Sequence, residues 1–143
     1  MDGQTFFFCG IGGSGMSAIA QVLLHQGYTV LGSDRSYDRG QNRELYTHLK
    51  TLGVQLFPQD GSGVDEAVDT LVVSSAVEPT IPDVKAGLAH GVTIQKRAEV
   101  LAWLFNRGRG IAIGGTSGKS TVTGMVGHIL NTVGRNPTVI NGG

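Results

Sequence analysis

The sequence has one cysteine and four prolines, and aromatic residues fill only 6% of its 143 positions. One cysteine forms no intramolecular disulfide and no cysteine-based metal cage. Cys9 closes the apolar run Phe6-Phe7-Phe8-Cys9 and reads as a small buried filler. Charge of one sign is missing as well: 11 Lys plus Arg balance 11 Asp plus Glu. A chain without net charge has no global field to hold a nucleic-acid backbone or an anionic membrane, so neither is expected as a partner. Purely apolar runs last only a few residues, far short of the ~20 that span a bilayer. Met1-Asp2-Gly3-Gln4 has no basic segment of the kind that opens a signal peptide. The expectation is a soluble cytoplasmic protein. His25, His48, His90 and His128 have no mutual spacing that would build a metal-binding face.

Glycine is what the chain has in excess, with 23 residues where a usual share of about 7% would give roughly ten. The glycines cluster between apolar segments, so their positions carry information. Thr5 to Cys9 is a short β-type run that stops at a glycine cluster. From Met16 to Gln26 the residues Met16, Ile19, Ala20, Val22, Leu23 and Leu24 recur at helical spacing. Gly27 ends that helix, and Tyr28 to Ser33 is a second β-rich run leading to Asp34. The alternation continues with a helix over 42–52, a strand at 54–57, a weak helix near 64–68 and a strand at 70–74. A helix over 83–90, a strand at 92–95 and a helix over 97–106 follow. Strands separated by helices predict an α/β fold, a Rossmann-like parallel sheet with right-handed crossovers.

The polar, glycine-rich stretch Asn106-Arg107-Gly108-Arg109-Gly110 marks a boundary, with one domain over 1–108 and the start of another over 109–143. The second part reads as a strand at 111–113, a glycine-rich loop, a helix over 119–133 and a strand at 138–140. One βαβ unit cannot bury a core alone, so this domain reads as cut soon after it begins. Its helix face of Val122, Met125, Val126, Ile129 and Leu130 is expected to pack on the first domain or on a neighbouring chain.

Two loops carry the chemistry. Gly10-Ile11-Gly12-Gly13-Ser14-Gly15 fits G-x-G-x-x-G after a strand and before a helix. Gly10 suits a tight turn, Gly12 lets a pyrophosphate approach the main chain, and Gly15 lets the helix pack close to the strand. Amides at the helix start then face phosphate. Asp34, at the end of the second strand, either accepts a ribose hydroxyl or is a solvated turn carboxylate. In the second loop, Gly118-Lys119-Ser120 ends like a phosphate loop, with Lys119 reaching β and γ phosphates and Ser120 able to ligate Mg²⁺. The strict phosphate-loop motif nevertheless fails, because Ile113 stands where it requires glycine.

The two loops together resemble the Mur ligase family, which builds the peptide of bacterial cell-wall precursors. Gly115-Thr116-Ser117-Gly118-Lys119-Ser120-Thr121 is similar to that family's G-T-x-G-K-[ST]-[ST] motif for ATP, which accounts for the missing glycine. Phe8 to Ser17 is similar to the loop of the branch that joins L-alanine to UDP-N-acetylmuramate. Gly32-Ser33-Asp34, Val73-Ser74-Ser75-Ala76-Val77 and Arg97-Ala98-Glu99-Val100-Leu101-Ala102 extend the likeness over nearly the whole chain.

The resemblance implies an ATP-dependent amide ligase working through an acyl phosphate, with ATP and Mg²⁺ as cofactors and a UDP-muramoyl substrate. The amino acid or peptide would be bound by domains not contained in this sequence, and the fragment itself would be inactive. By position, Gly12, Gly13, Ser14, Gly15, Met16 and Ser17 would hold the UDP diphosphate. Asp34, Ser74, Ser75, Ala76 and Val77 would line the nucleoside or sugar site. Gly115, Thr116, Ser117, Gly118, Lys119, Ser120 and Thr121 would bind ATP, Lys119 acting in catalysis and Ser120 on the metal.

Three departures stand out. Ser117 replaces the histidine usual in the L-alanine-adding and peptide-recycling branches, Ser120 replaces threonine, and Ile81-Pro82-Asp83 stands where Asn-Pro-Glu is frequent. The alternatives are a ligase that recycles a preformed tripeptide, an NAD-binding oxidoreductase or regulatory domain resting on the first loop alone, and a non-catalytic phosphate-loop ATPase or regulatory module resting on the second. Arg35, Arg39 and Arg43 read either as a substrate clamp or as a hydrated face. Trp103 and Phe105 read as packing; for Arg97 and Glu99 the resemblance implies a contact with substrate, with an ion pair at a helix start as the alternative, and neither is assigned to the site.

Overall fold

A computed structural model describes residues 3–75 and 77–141. Five parallel strands, β1 (Thr5–Cys9), β2 (Thr29–Ser33), β3 (Gln55–Phe57), β4 (Thr70–Val73) and β5 (Thr93–Lys96), form one sheet in the order β3-β2-β1-β4-β5. The helices are α1 (Ser14–His25), α2 (Arg35–Asp38), α3 (Arg43–Leu52), α4 (Pro82–His90), α5 (Arg97–Asn106) and α6 (Lys119–Thr132).

The central strand β1 is apolar from Phe6 to Cys9, where both of its faces are covered. Successive side chains point to opposite faces. Phe6 and Phe8 enter a core with Ile19 and Leu23 of α1, Tyr46 and Leu49 of α3 and Val100 of α5. Phe7 and Cys9 enter the other, with Val84 of α4 and with Val64 and Val68 of the loop after β3. The chain winds outward from β1 to β2 and β3 through α1 and α3, returns to β4 on the other side of β1, and continues to β5 through α4. Right-handed crossovers in opposite directions place α1 and α4 on opposite faces. The order of strands reverses between β1 and β4, which opens a crevice at their carboxyl ends.

An aromatic group fixes α5. Phe6 meets Tyr28 edge-on with ring centres 5.4 Å apart, and Trp103 stands 6.0 Å from Tyr28 and 6.1 Å from Phe6. The Arg107 guanidinium lies 4.7 Å over the Trp103 ring and donates to the Tyr28 hydroxyl at 3.1 Å. Trp103 is therefore a packing residue, as the sequence suggests. Clamping the far end of α5 holds its first residue, Arg97, at the carboxyl ends of the strands.

Several local expectations are corrected. Residues 64–68 form turns around Asp65 rather than a helix: the Asp65 carboxylate accepts from the Ala67 amide at 2.9 Å, so a side chain takes over a bond that helical backbone would make. The short helix α2 is an addition to the elements expected from the sequence; Asp34 caps it by accepting from the Ser36 amide at 2.8 Å. Residues 111–113 and 138–140, expected as strands, pair with no strand among the described residues, and a β ladder needs a partner. The helix between them forms; of the face expected to pack on the first domain or on a neighbouring chain, Val126 and Leu130 are half-buried while Val122, Met125 and Ile129 are 44%, 59% and 58% exposed.

Candidate functional site

The first glycine loop is tied to the neighbouring strand. Gly10, with φ +83°, and Ile11 both donate their amides to the Ser33 carbonyl, at 2.9 and 3.0 Å. A side chain would be strained at that φ, so glycine is required for the turn. Gly13 then caps α1 in an extended conformation, and no side chain caps the helix. The amides of Ser14, Gly15 and Met16 precede the first intrahelical bond, Ser17 to the Gly13 carbonyl at 2.9 Å. Uncapped amides at the positive end of a helix dipole are an anion site in waiting.

These residues line a cleft of about 400 Å³ at the carboxyl ends of β1, β2 and β4. Gly13 to Met16 form one wall, Cys9 and Gly10 the floor, and Asp34, Ser74 and Arg97 the rim. Arg97 is exposed, and its guanidinium lies so close to Gly15 that a β-carbon there would collide with it. The expected ion pair with Glu99 does not form, because Glu99 turns back to accept from the Lys96 amide at 2.6 Å and caps α5.

Of the residues assigned to the UDP substrate, Gly13, Ser14, Gly15, Met16, Asp34 and Ser74 meet in this cleft. Gly12 and Ser17 do not line it. The Gly12 amide donates to Asp34 Oδ2 at 2.8 Å, and Ser17 is buried with its hydroxyl on the Ser14 carbonyl at 3.2 Å. Ser75 and Val77 are exposed beyond the rim, and Ala76 lies outside the described residues. Of the three arginines considered as a clamp, Arg35 holds Gln59 at 3.0 Å, Arg43 reaches the Gly40 carbonyl at 3.3 Å, and none lines the cleft.

Behind the floor lies a buried polar group. The Ser33 hydroxyl and the Gly61 amide donate to Asp83, the second at 2.9 Å, and Gln59 donates to Cys9 Sγ at 3.3 Å. Burial raises the pKa of Asp83 against the lowering effect of its donors. Burial, and next the nearby Asp83 charge, push the Cys9 thiol up to about 12.

The second loop is exposed from Gly114 to Thr121 and contributes nothing to the cleft. Gly118, with φ +76°, caps α6, whose start again has no side-chain cap. Lys119 arches back and donates to the Gly115 carbonyl at 2.7 Å, which holds its ammonium over the loop. Open amides, a cation and the exposed Ser120 and Thr121 make a donor set that suits a phosphate chain and a magnesium ion. Among the described residues no group of three or more His, Cys, Asp or Glu could hold a metal ion.

Residues 5–109 match the family described as Mur ligase family, catalytic domain. The chain belongs to the Mur ligase family. A UDP-N-acetylmuramate–L-alanine ligase of Synechococcus sp. (strain JA-2-3B'a(2-13)) is 44% identical over 98% of this chain and 28% of its own length. The crystal structure of a UDP-N-acetylmuramate–alanine ligase from Thermotoga maritima superposes with a TM-score of 0.78 at 30% identity, covering 90% of this chain and 29% of that one. A murein peptide ligase from Psychrobacter arcticus superposes at 0.79 with 27% identity, over 92% and 27%. The chain thus spans under a third of these Mur ligases. Membership in a ligase family sets the NAD oxidoreductase alternative aside.

Sequence reasoning raised Arg97 as a substrate contact without assigning it to the site, and read Cys9, which also lines the cleft, as buried filler. The available signal for Arg97 was its place directly after a strand and at a helix start, on the edge where parallel sheets bind ligands.

Proposed function

We propose that this chain is the UDP-substrate and ATP-loop portion of an ATP-dependent ligase that joins L-alanine to UDP-N-acetylmuramate in the cytoplasm. Residues 1–108 would form the substrate domain and 109–143 the start of the ATP-binding domain. The observation that carries this reading is the cleft where the uncapped start of α1 meets Arg97. Three free amides and one guanidinium suit a diphosphate that is bound but never cleaved, since no metal or lysine is needed for that task. The second loop has the lysine that the first lacks, as a site for a transferred phosphoryl group requires.

In this reading ATP supplies the phosphoryl group that activates the substrate carboxylate, with Mg²⁺ offsetting its charge. Lys119 and the α6 amides would hold the phosphate chain, and the Ser120 hydroxyl would face the metal. L-Alanine would enter at surfaces outside these 143 residues. The relatives' names favour L-alanine as the amine over a preformed tripeptide.

Calorimetric titration with UDP-N-acetylmuramate, UDP, NAD and NADP tests the proposal. Binding of the UDP compounds without the dinucleotides is the expected result. Tight NAD binding with no response to any UDP compound would overturn it.

A further inference from the structure

The side chain of Tyr46 is 2% exposed, yet its hydroxyl is buried without a hydrogen-bond partner. A phenylalanine would fill the same space in the core and leave no polar atom unpaired, so the packing gives no reason for the oxygen. Its location does. A β-carbon on Gly12 would collide with the Tyr46 hydroxyl and stand 2.9 Å from Asp34 Oδ2, so phenol and carboxylate press on the same point of the glycine loop. The ring is held there by Tyr37, whose ring centre is 5.2 Å away, and Tyr37 is fixed in turn by Lys50, which donates to its hydroxyl at 2.7 Å.

Asp34 meanwhile occupies the Gly12 amide at 2.8 Å through Oδ2, while Oδ1 stays on the Ser36 amide at 2.8 Å. This places a carboxylate on an amide of the loop that would receive a diphosphate. The two anions repel at close range, and the interior beside Tyr46 offers little water to screen them.

We infer that Tyr46 is a positioning residue for substrate binding: when a diphosphate enters the loop, Asp34 Oδ2 leaves the Gly12 amide and takes the Tyr46 hydroxyl as its donor. Oδ1 remains on Ser36, so a rotation of the carboxylate about that anchor makes the exchange, and the Gly12 amide becomes available to phosphate. Burial, and next the Asp34 carboxylate beside it, push the Tyr46 phenol up to about 12, which keeps it protonated as the exchange requires. The inference rests on the UDP-substrate reading of the cleft and adds to it a residue that does not touch the ligand.

The test is a cycle of wild type, Tyr46→Phe, Asp34→Asn and the double variant, each titrated with UDP and UDP-N-acetylmuramate and melted without ligand. Tyr46→Phe should raise Kd about tenfold, the scale of one hydrogen bond to a charged group. Its melting temperature should stay level or rise, because an unpaired hydroxyl has been removed. In the Asp34→Asn background the same change should have no further effect on Kd. Wild-type affinity in Tyr46→Phe, or loss of affinity together with loss of stability or of folding, would overturn the inference. Failure of the wild type to bind either UDP compound would overturn the substrate reading and this inference with it, whereas failure of the Tyr46→Phe variant to differ from a binding wild type removes only the inference.

Discussion

The Ser33 hydroxyl, at the end of β2, donates to the Asp83 carboxyl in the first turn of α4, and both residues are 0% exposed. With the Gly61 amide on its other oxygen at 2.9 Å, Asp83 ties a strand end, a loop and a helix start together directly behind the floor of the cleft. Because burial raises its pKa above the unfolded value of 3.8, the folded chain keeps this proton at pH values where the unfolded chain has lost it. The stability it contributes is therefore fully present below that unfolded value and declines as pH rises through the folded one, opposite to an ordinary surface carboxylate. Urea melts of wild type and Asp83→Asn across pH 3.5 to 8 should show the wild type's advantage shrinking as pH rises. Asp83→Ala should cost more at every pH, about 1–3 kcal/mol for each buried partner left unpaired. A wild-type advantage that grew with pH would contradict this account.

Cys9 lines the cleft, yet its thiol is pushed up to about 12 from an ordinary 9.0. The thiolate is the reactive form, so its population at pH 8 should be about a thousandfold below that of a free cysteine. Iodoacetamide should label the native chain far more slowly than the urea-unfolded chain, as followed by mass spectrometry. Equal rates in both states would show the thiol to be less enclosed than its surroundings indicate.

Phe7 is 0% exposed in the middle of the central strand, and its ring centre lies 6.2 Å from that of Phe57 with the planes tilted by 39°. Removing it leaves a cavity in the core on the α4 face of the sheet, and Phe7→Ala should destabilise the chain by about 3–5 kcal/mol, read from denaturant melts. The cleft lies beyond the strand end, so any protein that remains folded should keep its affinity for UDP compounds.

Elements were most legible where a patterned run stops at glycine, as in the strand Thr5–Cys9 before Gly10 and the helix Arg43–Leu52 before Gly53. In the glycine loop the turn was legible, because Gly10 is required by its backbone angle, a local demand; the expected close approach of helix to strand at Gly15 is not what the fold shows, since a β-carbon there would meet the distant Arg97 side chain. What escaped depends on contacts between distant segments. Nothing local to Arg97 shows that an aromatic group at the other end of α5 will hold it at the cleft. Nothing in the neighbours of Tyr46 or Asp83 shows that each will meet the end of β2 or the loop beside it. The runs at 111–113 and 138–140 have strand composition, but composition supplies no ladder partner.

Arg97 and Gly15 offer the most direct test of the cleft. Arg97 is exposed, so replacing it should leave the melting temperature nearly unchanged while removing the guanidinium from the rim. Charge-assisted bonds to phosphate are worth about 1.5–3 kcal/mol, so Arg97→Ala should weaken UDP binding roughly 10- to 100-fold. Arg97→Lys should recover part of the loss, because it keeps the charge and loses the two-pronged geometry. Gly15→Ala acts on the same contact from the other side. The atoms a β-carbon would meet there belong to the Arg97 side chain, which can swing away, and alanine favours the helix in which Gly15 sits. That variant should therefore bind UDP more weakly while staying folded. Lys119→Ala, in the separate loop, should leave the same titration unchanged. Wild-type affinity in Arg97→Ala would mean that the α1 amides alone hold the diphosphate and that the guanidinium only covers them.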